Sequence, residues 1–358
     1  MTDAYGRTID YLRLSVTDLC NLRCSYCMPP EGVCKRDHSE ICSLEELAEL
    51  AAAFVELGVK KIRLTGGEPL VRRGIVSLTE RLAALKSVGL EELCMTTNGI
   101  LLPEFAASLR EAGLDRLNIS LDSLRPDRFR TLTRGGELNR VLDGIAAAEA
   151  AGFHDLHLNA VLLAGINEDE LRDLALLAKD RPWSVRFIER MPLGPAATLS
   201  FLPANRVLEA VPELQEMQAE ATGNRQQATE KAFPLRGRWH PASPASRMTD
   251  EVASDEAPTD RDTDAVARMY TAPGWAGTVG LIAAMSACFC ERCSRVRLTA
   301  DGKLKPCLHS SEEYPLRGLH GDVLREAILS AIQKKPARHN LSDARPSESA
   351  RPMNEIGG

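Results

Sequence analysis

The sequence lacks several features that would place it in a familiar class of proteins. Its 358 residues contain no apolar run near the length that spans a bilayer, and no charged-then-apolar segment opens the chain. Aromatic residues make up only 4 %, and a net charge of −6 gives no basic excess with which to bind a polyanion. We therefore expect a soluble, cytoplasmic protein that binds neither nucleic acid nor a membrane.

The cysteines are the first feature that points to chemistry. Ten cysteines in a reducing compartment are candidates for metal ligands rather than for disulfides. Six of them form two groups, Cys20-x3-Cys24-x2-Cys27 and Cys290-x2-Cys293-x13-Cys307. Three thiolates can hold three corners of a four-iron cubane and leave the fourth iron open to a ligand. From spacing alone a zinc site remains open for both groups, with His309 as a conceivable fourth ligand of the second, and free structural cysteines remain open for the first.

Segments typical of strands and helices alternate along the first 210 residues. Ser43 with Glu46 predicts a capping box at the start of one helix, and Asn167 with Glu170 predicts another. Six strand–helix units imply an α/β fold with a parallel sheet, and no dinucleotide-binding glycine fingerprint accompanies them. The predicted strands are 11–16, 61–65, 93–97, 116–121, 156–163 and 184–188, with a further one at 278–282.

Unusual residues directly follow, or end, five of these strands. They are the first cysteine group, Gly66-Gly67-Glu68-Pro69, Thr97-Asn98-Gly99, Ser120-Leu121-Asp122 and Glu189 to Met191. Any one of them could be an ordinary turn. In a barrel, however, the carboxyl ends of the strands form one shared mouth, and five such segments favour a barrel-like form over a doubly wound sheet.

The composition changes after about residue 216. Residues 241–264 are rich in Pro, Ala, Ser, Thr and acidic residues, which predicts a disordered insertion. We therefore predict two regions, 1–215 and 216–358. In the second region Arg295 and Arg297 lie between the cysteines, which suggests an anionic ligand beside them.

Taken together, these motifs resemble those of the radical S-adenosylmethionine (SAM) superfamily, and within it those of the GTP 3′,8-cyclase family of molybdenum cofactor biosynthesis. The resemblance rests on the first cysteine group with Tyr26, on the second cysteine group, and on several short segments. These segments are Leu12-Arg13-Leu14-Ser15-Val16-Thr17-Asp18, Ile62-Arg63-Leu64-Thr65-Gly66-Gly67-Glu68-Pro69-Leu70, Thr96-Thr97-Asn98-Gly99, Asn118-Ile119-Ser120-Leu121-Asp122, Arg186-Phe187-Ile188-Glu189 and the terminal Gly357-Gly358.

The resemblance implies a fold and a reaction. The fold would be a partial (β/α)6 TIM-type barrel with a C-terminal portion that carries a second iron–sulfur cluster. The enzyme would be a lyase that uses two [4Fe–4S] clusters and SAM to convert GTP to (8S)-3′,8-cyclo-7,8-dihydroguanosine 5′-triphosphate. An electron donor such as flavodoxin or ferredoxin, and a homodimer, are also implied.

The resemblance also implies roles for individual residues. The first cluster would be held by Cys20, Cys24 and Cys27, and the second by Cys290, Cys293 and Cys307. SAM contacts would come from Tyr26, Gly67, Ser120 and Met191, and GTP contacts from Arg13, Arg63, Thr96, His157, Arg295 and Arg297. Gly357 and Gly358 would act in the active site together with the last two arginines. His157 departs from the family pattern, in which a lysine is common at that position.

Two other functions remain open from the sequence. A radical SAM enzyme with an auxiliary cluster could act on a peptide instead of a nucleotide. A protein without enzymatic activity that binds zinc, or that carries electrons, could also use two cysteine groups.

Overall fold

A computed structural model describes residues 1–33, 36–217, 266–342, 346–349 and 351–357. The predicted insertion at 241–264 and the terminal Gly358 lie outside the described residues. Within the described ranges, no helix has both the length and the apolar character needed to cross a membrane.

Strands of the described residues join in one sheet, in the order β12-β11-β10-β1-β2-β3-β4-β5-β6-β9-β8-β7. They are β1 (Tyr11–Ser15), β2 (Lys61–Thr65), β3 (Glu92–Thr97), β4 (Arg116–Ser120), β5 (His157–Leu162), β6 (Ser184–Glu189), β7 (Gln215–Glu216), β8 (Arg268–Thr271), β9 (Thr278–Ile282), β10 (Arg295–Leu298), β11 (Lys303–Lys305) and β12 (Tyr314–Pro315).

The centre of this sheet is parallel, as the sequence predicted. β1 to β6 pair in chain order, and each pairing is parallel. The C-terminal region adds a parallel strand at each side, because β10 pairs with β1 and β9 pairs with β6. Antiparallel strands follow beyond both, and one continuous sheet therefore joins the two predicted regions.

Helices connect the strands of the parallel core. They are α1 (Leu44–Glu56), α2 (Ile75–Ala83), α3 (Leu102–Glu111), α4 (Pro126–Thr133), α5 (Leu138–Ala150), α6 (Leu171–Leu176), α7 (Asn205–Ala210) and α8 (Gly321–Gln333). The capping box predicted for α1 is confirmed. The Ser43 hydroxyl accepts a hydrogen bond from the Glu46 amide at 3.1 Å, and the Glu46 carboxylate accepts one from the Ser43 amide at 2.6 Å.

The second predicted capping box is wrong. Asn167 makes no cap with its side chain, and α6 begins only after a short 3-10 turn. The side-chain nitrogen of Asn167, Nδ2, instead donates to the carbonyl oxygens of Asp122 and Val161, both at 2.9 Å. Glu170 accepts from the Ser123 hydroxyl at 2.8 Å. Both side chains are fully buried, and they satisfy polar groups beyond the ends of β4 and β5 that water does not reach.

The parallel strands have one apolar face and one largely polar face. In β1, Leu12 and Leu14 belong to the hydrophobic core, whereas Tyr11 and Arg13 line an internal cavity. The same alternation recurs in β2, β4 and β10. Strands from one side of the sheet to the other line this same cavity, which a flat sheet could not enclose. The sheet is therefore curved into a partial barrel, with an interior lined largely by polar side chains rather than by a packed apolar core.

Candidate active site

One cavity within the partial barrel is lined by both cysteine groups, the first after the carboxyl end of β1 and the second at the amino ends of the parallel strands, next to the start of β10. Its wall includes Cys20, Cys24, Cys27, Cys290, Cys293 and Cys307. Other residues that the sequence singled out lie on the same wall: Arg13, Tyr26, Arg63, Gly67, Thr96, Ser120, Met191, Arg295 and Arg297. The fold thus collects side chains that are up to 294 positions apart in the chain, from Arg13 to Cys307.

The first cysteine loop is shaped by its own backbone and by β3. The Cys27 amide donates to the Cys24 carbonyl at 2.9 Å, and the Leu22 amide points at the Cys20 sulfur at 3.4 Å. From the end of β3, the Asn98 side chain donates to Asn21 at 2.7 Å and approaches the Cys20 sulfur at 3.9 Å. Burial raises the pKa of the Cys20 thiol to about 11 and that of Cys27 to about 12. A bound metal must therefore displace protons from these thiols.

The Gly66-Gly67 turn lies directly against the segment that leads into this loop. The Gly67 amide donates to the Thr17 carbonyl and the Glu68 amide to the Leu19 carbonyl, both at 2.9 Å. A Cβ atom on Gly67 would lie 2.3 Å from the Leu19 carbonyl oxygen, and one on Gly66 would lie 2.3 Å from that of Thr17. Both glycines are required here because two backbones meet without room for a side chain.

Glu68 links this turn to the end of β3. Its carboxylate accepts hydrogen bonds from the Thr97 hydroxyl at 2.8 Å and from the Asn98 amide at 2.7 Å. Burial raises the pKa of Glu68 to about 7, although these hydrogen bonds act in the opposite direction. Through these hydrogen bonds, the residues that follow β2 and those at the end of β3 together hold the first cysteine loop in place. This explains why both segments have unusual residues.

Tyr26 is fixed by a carboxylate that follows β4. Its hydroxyl donates to Asp122 Oδ2 at 2.6 Å, and Asp122 Oδ1 accepts from the Val161 amide at 2.8 Å. Burial raises the pKa of Asp122, whereas these hydrogen bonds lower it. The aromatic ring before Cys27 is therefore held in place from β4 and β5.

Arginines from three neighbouring strands form a positively charged wall. Arg13 stands opposite Arg297 in the pairing of β1 with β10, and opposite Arg63 in the pairing of β1 with β2. Arg63 donates to the Tyr11 hydroxyl and to Asn118. Burial lowers the pKa of Arg297 well below its ordinary value, and repulsion by Arg13 and Arg295 lowers it further. Such a cluster gains stability when an anion lies among the guanidinium groups.

The second cysteine group has a different electrostatic environment. Lys335 donates to the carbonyl oxygens of Arg295 and Pro306, both at 2.7 Å, and points at the Cys293 sulfur at 3.7 Å. Burial alone would raise the pKa of Cys293, but Lys335 and Arg295 lower it to about 6. Nearby, the Leu341 amide donates to His339 Nδ1 at 3.3 Å, and Nε2 of that ring lies 3.5 Å from the Cys288 sulfur.

The spacing of the sulfurs bears on the choice between zinc and iron–sulfur. In a tetrahedral zinc site with Zn–S bonds of about 2.3 Å, ligand sulfurs lie about 3.8 Å apart. Among the described residues, the one group of three such ligands that all lie within 4.8 Å of one another is Cys288, Cys290 and His339. Neither predicted cysteine triplet is that compact. A cubane, in which each thiolate binds a different iron, fits a wider triplet.

The C-terminal tail reaches the arginine wall. Arg297 donates to the carbonyl oxygens of Ile356 and Gly357. Gly357 has a φ of +70°, and a Cβ atom there would lie 2.2 Å from the Thr65 hydroxyl oxygen. The Asn354 side chain donates to the Asp18 carbonyl at 3.0 Å, close to the first cysteine loop. The structure therefore places Gly357 inside the cavity region, while Gly358 lies outside the described residues.

His157 lies apart from the other predicted substrate residues. It is the first residue of β5, at the amino ends of the parallel strands and therefore opposite the first cysteine group, and it is only 2 % exposed. Its Nε2 atom is 3.0 Å from Arg116 Nη1 and 3.4 Å from Asp155 Oδ1. Burial lowers its pKa to about 3, and the nearby Arg186 contributes in the same direction. The ring is thus neutral, and it lies beneath the wall that the other residues form.

Sequence reasoning missed several residues of the cavity wall. Asn118, Asn159 and Arg186 point inward from β4, β5 and β6. The polar residues at every second position of these strands were the signal that could have found them. Lys335 and His339 carry no comparable signal, because they follow α8 and reach the cavity only through the tertiary fold.

Two family models match the chain. The model described as the radical SAM superfamily matches residues 14–178, and the model described as Molybdenum Cofactor Synthesis C matches residues 239–341. A relative from Alkaliphilus oremlandii named GTP 3′,8-cyclase is 42 % identical over 100 % of both chains. Another of that name, from Geobacter sulfurreducens, is 45 % identical over 100 % of this chain and 99 % of its own.

Likeness to solved structures is more limited. The FeFe-hydrogenase maturase HydG from Carboxydothermus hydrogenoformans is 18 % identical, with a TM-score of 0.45, over 59 % of this chain and 52 % of that one. Because this overlap is partial, the family assignment depends on the sequence relatives.

Proposed function

The chain belongs to the GTP 3′,8-cyclase family of radical SAM enzymes, and from that premise we propose how its residues share the work. The enzyme uses SAM and two [4Fe–4S] clusters to convert GTP to (8S)-3′,8-cyclo-7,8-dihydroguanosine 5′-triphosphate, the first step of molybdenum cofactor biosynthesis. One observation supports the proposed division of roles above all others: both cysteine triplets line a single cavity, with a wall of arginines beside them.

Cys20, Cys24 and Cys27 would hold the cluster at which SAM is cleaved. Their spread exceeds that of a zinc site, and their loop is fixed by the Gly66-Gly67 turn and by Asn98. A [4Fe–4S] cluster bound there would supply the one-electron reduction that SAM cleavage requires. The protein's part is to hold the three thiolates and to leave the fourth iron facing the cavity.

SAM would be positioned by groups that surround the first cysteine loop. Tyr26, Gly67, Ser120 and Met191 all line the cavity. The Asp122 carboxylate fixes the Tyr26 ring, and the absence of a side chain at Gly67 lets its turn pack against the segment that leads into the first cysteine loop. These groups would orient the sulfonium ligand rather than react with it.

GTP would lie between the arginine wall and the second cysteine group. Arg13, Arg63, Thr96, Arg295 and Arg297 all line the cavity. Guanidinium groups suit a triphosphate because each can donate two hydrogen bonds to one phosphate. Cys290, Cys293 and Cys307 would hold the second cluster, and the low pKa of Cys293 favours the thiolate that iron requires.

For two of the residues predicted to act in the site, His157 and Gly357, we propose a more specific role. His157 is neutral and lies below the cavity wall, so we propose that it supports β4 through Arg116 rather than pairing with a phosphate. Gly357 would set the position of Arg297 by accepting its hydrogen bond, and Gly358 would extend the tail beyond it.

The electron donor, the assembly state and the location are further parts of the proposal. A flavodoxin or a ferredoxin would reduce the first cluster, the enzyme would form a homodimer, and it would act in the cytoplasm. Titration of the reduced donor, sedimentation and cell fractionation would test these three points separately.

A direct test is to incubate the reconstituted, reduced protein with SAM and GTP under anaerobic conditions. We expect about eight irons per chain from two four-iron clusters, and cyclised nucleotide as the product by mass spectrometry. Wild-type protein that cleaves SAM equally well with and without GTP, and forms no cyclised nucleotide, would contradict the proposal. A variant with Cys290, Cys293 and Cys307 replaced by serine should keep about four irons and form no product.

A further inference from the structure

The position of the C-terminal tail requires an explanation, because a chain terminus frays unless contacts hold it. Residues 351–357 form only a short 3-10 turn, Met353–Glu355, before the tail reaches Arg297. Its backbone contacts alone do not account for such a defined path. The side chain of Arg351, at the start of this segment, offers the strongest anchor.

Arg351 is paired with two carboxylates at once. Its Nη1 and Nη2 atoms lie 3.0 and 2.8 Å from the two oxygens of Asp301, which is a bidentate pair. Its Nε atom lies 2.7 Å from Glu313. The side chains of Arg351, Asp301 and Glu313 are only 11 %, 9 % and 16 % exposed. Ion pairs of this kind are less screened and better defined than those on an open surface.

A second arginine extends the same network to the first cysteine loop. Arg36 lies 2.7 Å from Glu355 of the tail, 3.2 Å from Asp301 and 3.2 Å from Asp18. Asp18 precedes Cys20 by two residues, and Asp301 lies in the turn between β10 and β11, six residues before Cys307. We call Arg36, Asp301, Glu313 and Arg351 the tail clamp. The clamp therefore joins the tail to the first cysteine loop and to the turn between β10 and β11.

The electrostatics agree with a preformed clamp. Burial alone would raise the pKa of Asp301, but hydrogen bonds from Arg351 and Thr299, and the charge of Arg36, hold it well below its usual range. Removal of the Arg351 charge would leave two carboxylates close together with fewer partners, and the tail would lose its main anchor.

We propose that Arg351 is a positioning residue, which through the tail clamp sets how far the tail enters the cavity and so where Arg297 points. The proposal rests on the proposed function, in which Arg297 binds GTP. Arg351 itself touches neither substrate nor cofactor. Its loss should therefore disturb the use of GTP by the enzyme while leaving the first cluster and the cleavage of SAM in place.

The test compares full-length holoenzyme variants. Arg351→Met keeps the aliphatic stem but removes the charge, and Arg351→Lys keeps the charge but not the bidentate fork. Arg325→Met is the matched control, because Arg325 pairs with Glu56 at 2.6 Å on an exposed helix away from the tail. Three quantities are measured: the amount of cyclised GTP formed per SAM cleaved, the iron content, and hydrogen exchange at Ile356 and Gly357.

In Arg351→Met we expect the yield of cyclised GTP per SAM cleaved to fall about tenfold, equivalent to about 1.4 kcal/mol. Iron content and the rate of SAM cleavage should stay within about twofold of wild type, because Arg36 still pairs with Asp18 beside the first cysteine loop. Exchange at the tail should accelerate. The yield and the tail exchange rate of Arg351→Lys should lie between those of Arg351→Met and wild type. Those of Arg325→Met should match wild type.

The outcomes separate the clamp from simpler explanations. Unchanged tail exchange and an unchanged yield in Arg351→Met would overturn the proposal. Loss of iron from either cluster, with a lowered melting temperature, would also overturn it by showing a purely structural role. If the wild-type enzyme forms no cyclised GTP at all, the proposed function fails, but tail exchange still decides whether Arg351 holds the tail.

Discussion

At the scale of single residues, Gly67 shows how a close approach of two backbones can determine where a cofactor site forms. The turn that contains it donates hydrogen bonds to Thr17 and Leu19, and a Cβ atom at Gly67 would lie within 2.3 Å of a carbonyl oxygen of that segment. Any side chain must push this segment away. Because Cys20 follows Leu19 directly, the thiolates would move with it.

We therefore predict that Gly67→Ala loses the first cluster. Iron content should fall from about eight to about four per chain, with the second cluster retained, as measured by iron analysis and by absorbance after reconstitution. Gly165→Ala is the control for backbone strain without a steric contact, because Gly165 has a φ of +68° and no atom lies within 4 Å of a Cβ placed there. Full iron content in Gly67→Ala would show that the loop can adjust to the side chain.

Arg297 is the residue at which the tail meets the arginine wall that we propose binds GTP. Its guanidinium lines the cavity and donates to the carbonyl oxygens of Ile356 and Gly357. We predict that Arg297→Ala weakens GTP binding at least about tenfold, because a charged hydrogen-bond donor is lost. Both clusters should remain, and equilibrium titration with GTP measures the effect. The exposed variant Arg140→Ala should bind like wild type, and unchanged affinity in Arg297→Ala would remove this residue from the site.

His157 gives the protein a stability that depends on pH. Its folded pKa of about 3 lies below its unfolded value of about 6.5, because burial, Arg186 and Arg116 oppose the charge. The favourable effect of Asp155 is too small to reverse this. Below pH 6.5 the unfolded chain takes up a proton that the folded chain does not, so stability is lost as the pH falls from 6.5 towards 3.

We predict that His157→Gln reduces this dependence. The slope of the unfolding free energy between pH 6.5 and 5 should decrease by up to about 1.4 kcal/mol per pH unit, the amount linked to one proton. Denaturant titrations at several pH values measure the slope. The exposed variant His320→Gln should keep the wild-type slope, and an equal slope in His157→Gln would contradict the assigned protonation state.

At the scale of structural elements, the tail acts together with β10 and β2. Gly357 fits against Thr65 of β2 only because it has no side chain, and Arg297 of β10 donates to its carbonyl group. The hydrogen bond from Asn354 to the Asp18 carbonyl also connects the tail to the first cysteine loop. These contacts hold the tail against the cavity wall, so the tail is not a frayed end.

We predict that deletion of Gly357 and Gly358 abolishes formation of the cyclised product while the fold and both clusters persist. Product analysis by mass spectrometry and iron analysis measure the two effects. Gly274→Ala serves as a control for a strained glycine away from the cavity, because Gly274 has a φ of +81° and no atom lies within 4 Å of a Cβ placed there. A truncated enzyme with full activity would show that the tail takes no part in the reaction.

At the scale of the whole molecule, the C-terminal region completes the sheet instead of standing beside it. β10 covers the open edge of β1, and β9 covers that of β6. Without these strands, both edges of the six-stranded sheet would expose unpaired backbone groups, which promote aggregation. The division into 1–215 and 216–358 thus remains a prediction that can be tested by cutting the chain.

We predict that residues 1–215 expressed alone are insoluble or bind a hydrophobic dye, and that co-expression with residues 216–358 restores a soluble complex. Size-exclusion chromatography and dye fluorescence measure these effects. A monomeric fragment that unfolds cooperatively on its own would instead establish 1–215 as an independent domain.

Most of the local structure could be predicted from neighbouring residues alone. Strands such as 61–65 and 278–282 match the structure at both ends, because alternating side chains and flanking glycines fix them locally. The capping box at Ser43 is likewise a contact between near neighbours. At Asn167 the same reasoning failed, because its side chain was taken up by the ends of two strands that are distant in sequence.

Which distant groups share the cavity depends on the three-dimensional fold. The spacing of the six cysteines predicts two clusters, but it does not show that both cysteine groups line one cavity. Lys335 reaches the second cysteine group only because α8 packs beside β11. His157 lies outside the cavity wall, at the first position of β5. The periodicity of side chains and the spacing of cysteines are properties of neighbouring residues, so they can be read from the sequence. The site also depends on the curvature of the sheet, on burial and on the paths of the tail and loops, which bring distant residues together.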